Sequence, residues 1–140
     1  MAYQFITSQQ LFDGAVKHQF EQKIAGILPK GGGSYRSHGG YRCAIGALIP
    51  DSHYRTCMEG VPVRYLSAKA TMIPMYMDQG VAAIRAALFE SNVNIHDERT
   101  IDLLSALQNV NDIFGTWEWK ARFTSIAQEF SLNIDVLSQY

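Results

Sequence analysis

The sequence is short of the features that usually announce a function. An excess of one charge is missing: 12 Lys and Arg stand against 13 Asp and Glu, a formal net charge of −1. A balance this even argues against a dedicated binder of nucleic acid or of an anionic membrane surface. Cysteine is scarce, limited to Cys43 and Cys57. The two form no C-x-x-C pair, and no histidine cluster stands at zinc-ligand spacing, so no metal and no other cofactor is expected. No apolar run approaches the ~20 residues of a membrane span. The opening Met1-Ala2-Tyr3-Gln4 lacks the basic and apolar regions of a secretion signal. These absences together give the expectation of a cytoplasmic protein with reduced thiols.

What is present is globular. Apolar residues make up 47% of the chain and aromatics 11%, which excludes a disordered composition. The length of 140 residues suits one domain spanning 1–140, large enough to fold without a staple. Thr7 and Gln10 form a capping box. The stripe Phe12, Val16, Phe20, Ile24 and Ile27 then predicts a helix that runs until Pro29 and Gly31-Gly32-Gly33. Asp78 opens a second helix, to about Glu90, with Val81, Ile84 and Leu88 on one face. Asp97 opens a third over about 98–114, carrying Leu103, Leu107, Val110 and Phe114. After Gly115, Thr116 opens a fourth, with Trp119, Phe123, Ile126, Ala127 and Phe130 in register. Trp117 and Trp119 are two apart, so one of them, Trp117, is expected at the surface. Between the first and second helices, Tyr35-Arg36 and Tyr41-Arg42 flank His38-Gly39-Gly40 and read as a β-hairpin over 35–42. The expected fold is mainly α, in the α+β sense: a compact four-helix domain with that one small hairpin.

Charge is unevenly spread. Residues 1–70 carry eight basic and four acidic side chains, and residues 71–140 carry four basic and nine acidic. Two faces of opposite sign, or head-to-tail assembly into a homo-oligomer, would follow from this.

The most distinctive stretch is Tyr41-Arg42-Cys43-Ala44-Ile45-Gly46-Ala47-Leu48-Ile49-Pro50-Asp51-Ser52-His53-Tyr54, followed by Met58-Glu59-Gly60. Further on comes Leu107-Gln108-Asn109-Val110-Asn111-Asp112. These segments resemble a group of small bacteriophage and prophage proteins that share a Cys-Ala-(Val/Ile)-Gly-x-Leu-Ile-Pro-Asp pattern and a later Leu-Gln-x-x-(His/Asn)-Asp element. Asn111 stands where the group more often has His, and the Gly31–Gly33 insert departs from it. The resemblance covers roughly residues 35–60 well and the late element loosely. It implies a phage or prophage origin, a host bacterial cytoplasm and a compact accessory protein, and it transfers no catalytic residue.

Two kinds of site can be read from the residues. Interleaved Tyr and Arg are enriched at interface hot spots, which makes Tyr35, Arg36, His38, Tyr41, Arg42 and Arg55 a candidate contact surface for a host or phage protein. Such a protein would inhibit a host process or a defence system. The alternative is a small enzyme with Cys43 as nucleophile and His38 or His53 as base, set against the plain reading of Cys43 as a small buried hydrophobe. Asp112 is expected to hold its helix against the motif loop by a hydrogen bond.

Overall fold

The computed structural model describes residues 4–25, 33–37 and 39–140. Among them lie four α-helices: α1 (Ser8–Gln22), α2 (Asp78–Glu90), α3 (Glu98–Ile113) and α4 (Trp119–Glu129). The 55 residues between α1 and α2 contain four short 3-10 turns at Gly46–Leu48, Asp51–His53, Thr56–Met58 and Val63–Leu66, with a fifth at Met75–Met77.

The start of α1 is the capping box read from the sequence. Thr7 Oγ1 accepts the Gln10 amide at 3.1 Å, and Gln10 Oε1 accepts the Thr7 amide at 2.9 Å. Its end comes earlier than Pro29. Lys23 adopts a left-handed conformation (φ 66°) and returns its amide to Gln19, a standard way of closing a last helical turn. Ile24 therefore leaves the apolar stripe and is 46% exposed. Ile27, Pro29, Gly31 and Gly32 lie outside the described residues.

The apolar faces of the other helices fall where their periods put them, except that Phe114 lies just past the end of α3 in extended backbone and is half-buried. Val81, Ile84 and Leu88 of α2 are buried, as are Leu103, Leu107 and Val110 of α3 and Trp119, Phe123, Ile126 and Ala127 of α4. α3 packs against both α1 and α4. Phe12 meets Phe123 edge-on with ring centroids 6.1 Å apart, and Phe20 meets Trp119 at 5.9 Å, the offset geometry that aromatic quadrupoles favour. The tail folds back on α1: Tyr140 stacks on Phe20 at 4.8 Å, and Gln9 exchanges two hydrogen bonds with the Asn133 backbone. Close approach of α2 to the loop region is made by Gly80, whose Cα faces the Cys57 carbonyl. Of the alanines of α2, Ala87 is buried, while Ala82 and Ala86 are exposed.

The β-hairpin is not formed, and no sheet occurs among the described residues. The loop is closed instead by Ser37 N–H to Tyr41 O (2.8 Å) and Cys43 N–H to Ser34 O (3.1 Å). An antiparallel ladder keeps a constant register between its strands, and these two links are one residue out of step. The flanking residues are held by side chains, as follows.

Candidate functional site

Glu59 organises the loop region. Its carboxylate accepts from the amides of Tyr35 (2.9 Å) and Arg36 (3.0 Å), from the Ser34 hydroxyl (3.1 Å) and from the Tyr54 phenol (2.7 Å). Loops lack a ladder to satisfy their backbone donors, so a buried stretch must find side-chain acceptors. One carboxylate does this for two consecutive amides, and takes the hydroxyl of the residue before them as well. Partial burial and the adjacent Glu59 charge push the Tyr54 phenol up, so it remains a donor at neutral pH.

The second tie is Tyr35, which is 3% exposed. Its hydroxyl donates to Val61 O at 2.5 Å and accepts from Gln108 Nε2 at 2.9 Å. Gln108 Oε1 in turn accepts the Val63 amide at 2.9 Å. Gln108, not Asp112, is thus the residue that fastens α3 to the motif loops. Asp112 Oδ1 accepts from its neighbour Asn111 at 2.9 Å and packs on the Gly33 backbone. The residue keeps an exposed outer edge, yet its carboxyl is partly withdrawn from water, and that desolvation raises its pKa.

These ties bring three separated segments of the chain to one place. Gly33–Tyr35, Gly60–Pro62 with Arg64, and the polar face of α3 enclose a cleft of about 360 Å³. Beside it, Lys23–Ala25 and Asn111–Trp117 line a second recess, with Ile24, Ile113 and Trp117 at its rim. Trp119 is buried and Trp117 is 84% exposed, as their spacing requires.

Of the six residues proposed as a contact surface, the five that are described separate into two groups. Tyr35 is buried, and Arg36 works inside the protein. The Arg36 guanidinium donates to Ile49 O at 3.0 Å, pairs with Asp51 at 2.6 Å and lies 4.7 Å from the centre of the Tyr54 ring. Tyr41, Arg42 and Arg55 reach solvent. The Arg42 backbone is clamped to α1, its carbonyl accepting from His18 and Gln22 and its amide donating to Gln22, all at 2.8 Å. Arg55 folds back onto the carbonyls of Ser52 and Tyr54. His38 lies outside the described residues.

Cys43 is buried, and desolvation pushes its thiol up to about 12. Its Sγ accepts the Gly46 amide at 3.3 Å. His53 Nδ1 pairs with Ser52 Oγ instead, at 3.1 Å. A thiol nucleophile needs a lowered pKa and access, and Cys43 has neither. Iodoacetamide on the folded protein should modify exposed Cys57 and leave Cys43 intact, read by peptide mass spectrometry. Cys43 reacting as fast as Cys57 would restore the nucleophile.

The most exposed apolar surface was not anticipated from the sequence. Met72 is 96% exposed, Met75 87% and Tyr76 82%. All three lie between the last motif turn and α2, where Met72 takes a left-handed conformation (φ 59°) and Pro74 precedes a single 3-10 turn. Ile73 packs inward against the core, as does Met77. The loop is thus anchored at two points while three large side chains stand in water.

No helix is long and apolar enough to cross a membrane, and no cluster of metal-ligating side chains occurs among the described residues. Comparisons with family models, with curated proteins and with solved structures give no match.

Proposed function

We propose that this chain is a phage-encoded accessory protein that works by binding another protein, in the bacterial cytoplasm, so as to inhibit a host process or a defence system. The observation that carries the binding part is the exposed triad Met72, Met75 and Tyr76. Fully burying a Met-sized side chain is worth about 1.5–3 kcal/mol relative to leaving it in water. Three such side chains within five residues of an anchored loop forgo that gain in the free protein and recover it in a complex. Methionine suits the role, because its flexible thioether moulds to an irregular surface, and Tyr is a frequent hot-spot residue. The phage origin rests on the resemblance of residues 41–60 and 107–112. Tyr41, Arg42 and Arg55 supply a second, polar patch from the surface first expected.

The test is capture from a bacterial lysate by the tagged chain, beside a Met72→Ser/Met75→Ser/Tyr76→Ser variant. These side chains support little of the core, so the variant's melting temperature should stay within about 2 °C of the native value, given that 1 kcal/mol shifts a domain of this size by roughly that much or more. A discrete protein retained by the native chain and lost from the variant is the expected result. A partner retained equally by both would remove the triad from the interface.

A further inference from the structure

The cleft beside Tyr35 and Gln108 has opposite charges at its two ends and unused polar groups between them. Arg64 shares a neighbouring recess with Glu98, Asp102 and Ser105, so it lies toward the first half of α3. Asp112 lies at the other end of the cleft, where Gly33 and Ile113 also line it. Ser105 and Asp112 are seven residues apart, about 10 Å along a helix. Ser105, Asn109 and Asp112 stand at i, i+4 and i+7, one stripe of α3, and all three line the cleft. Among the described residues, neither Ser105, Asn109 nor Arg64 has a side-chain hydrogen bond, and Arg64 has no carboxylate within ion-pair distance. Its guanidinium lies 5.2 Å from the centre of the Tyr65 ring. Val61 and Pro62 give the opposite wall an apolar character.

We infer that this cleft receives an extended peptide segment of the protein partner, with an acidic side chain at Arg64 and a basic one at Asp112. This rests on the protein-binding reading above. An extended chain advances about 3.3 Å per residue, so the two charges sit two to four residues apart. The Ser105 hydroxyl and Asn109 amide face the peptide backbone between them, supplying donors and acceptors that an extended segment needs. Charge at both ends fixes the direction of the peptide, which a purely apolar groove would not.

The probe is a displayed library of random 12-residue peptides, selected on the full native chain. Enriched peptides are then titrated by fluorescence anisotropy against the native chain, Asp112→Asn, Arg64→Gln and the Met72/Met75/Tyr76 variant. The expected result is an acidic and a basic residue in fixed order, two to four positions apart. Each single cleft variant should bind at least tenfold more weakly, and the triad variant as tightly as native. No enrichment above the support, or binding undiminished in both cleft variants, would overturn the inference. Peptides weakened only by the triad variant would overturn it too, while leaving the protein-binding reading in place.

Discussion

Glu59→Ala is expected to destabilise the protein by about 3–5 kcal/mol, because each buried donor left without an acceptor costs about 1–3 kcal/mol. Four donors lose their acceptor at once: the amides of Tyr35 and Arg36, the Ser34 hydroxyl and the Tyr54 phenol. Ser34 and Tyr35 are buried, so water cannot replace the carboxylate without opening the loop. Against a total stability of about 5–15 kcal/mol, that loss removes much of the margin. Glu59→Gln keeps one acceptor oxygen but turns an amide N–H₂ toward donors, and should fall between the two. Urea denaturation gives the free energies. Amide hydrogen exchange locates the effect, with Tyr35 and Arg36 losing protection before the cores of α3 and α4. A Glu59→Ala protein within about 1 kcal/mol of native, below the cost of a single orphaned buried donor, would mean that Glu59 does not hold the loop.

Gly46→Ala is the second large effect, and its cause is steric. A Cβ built on Gly46 falls well inside contact distance of the Tyr35 carbonyl oxygen and 2.9 Å from the Tyr35 Cα. The neighbour that would have to yield is backbone; its amide is held by Glu59, and the Tyr35 side chain beyond it is fixed by Val61 and Gln108. Overpacking typically costs about 1–3 kcal/mol where side chains can adjust; here the cost should reach the top of that range or exceed it. Gly14→Ala supplies the contrast. Its Cβ would meet nothing within 4 Å, and the residue sits inside α1. That change should stabilise by about 0.5–1 kcal/mol through lower backbone entropy in the unfolded chain. Thermal melts of the two variants should therefore move in opposite directions. Equal behaviour would contradict the close Gly46–Tyr35 approach.

The helices were legible in the sequence because periodicity and capping are local. Thr7 and Gln10 define the start of α1, and the stripes of α2, α3 and α4 select the residues that are buried. The end of α1 was less legible: Ile24 continues the 3.6-residue period, but the left-handed turn at Lys23 removes it from the helix. The sequence predicts a hairpin over 35–42, whereas the order of the region from 33 to 66 comes from side chains reaching across about 20 to 70 residues. Nothing in the neighbourhood of Glu59 or Gln108 signals that they serve Tyr35 and Val63. The Tyr-Arg pairs were read as surface because Tyr and Arg often are; burial of Tyr35 follows from a phenol partner that only the fold supplies. The Met72–Tyr76 segment is illegible for the opposite reason. Apolar residues beside a proline give no period, and their exposure depends on what α2 and the preceding turns leave uncovered.

A photo-crosslinking residue, p-benzoylphenylalanine, placed at position 76 in bacterial cells tests the central claim most directly. The same group at position 85 of α2, which is exposed, serves as control. A single crosslinked protein from position 76 and none from position 85 is the predicted result. Position 76 yielding nothing, or the same diffuse products as position 85, would contradict a binding role for the Met72–Tyr76 surface.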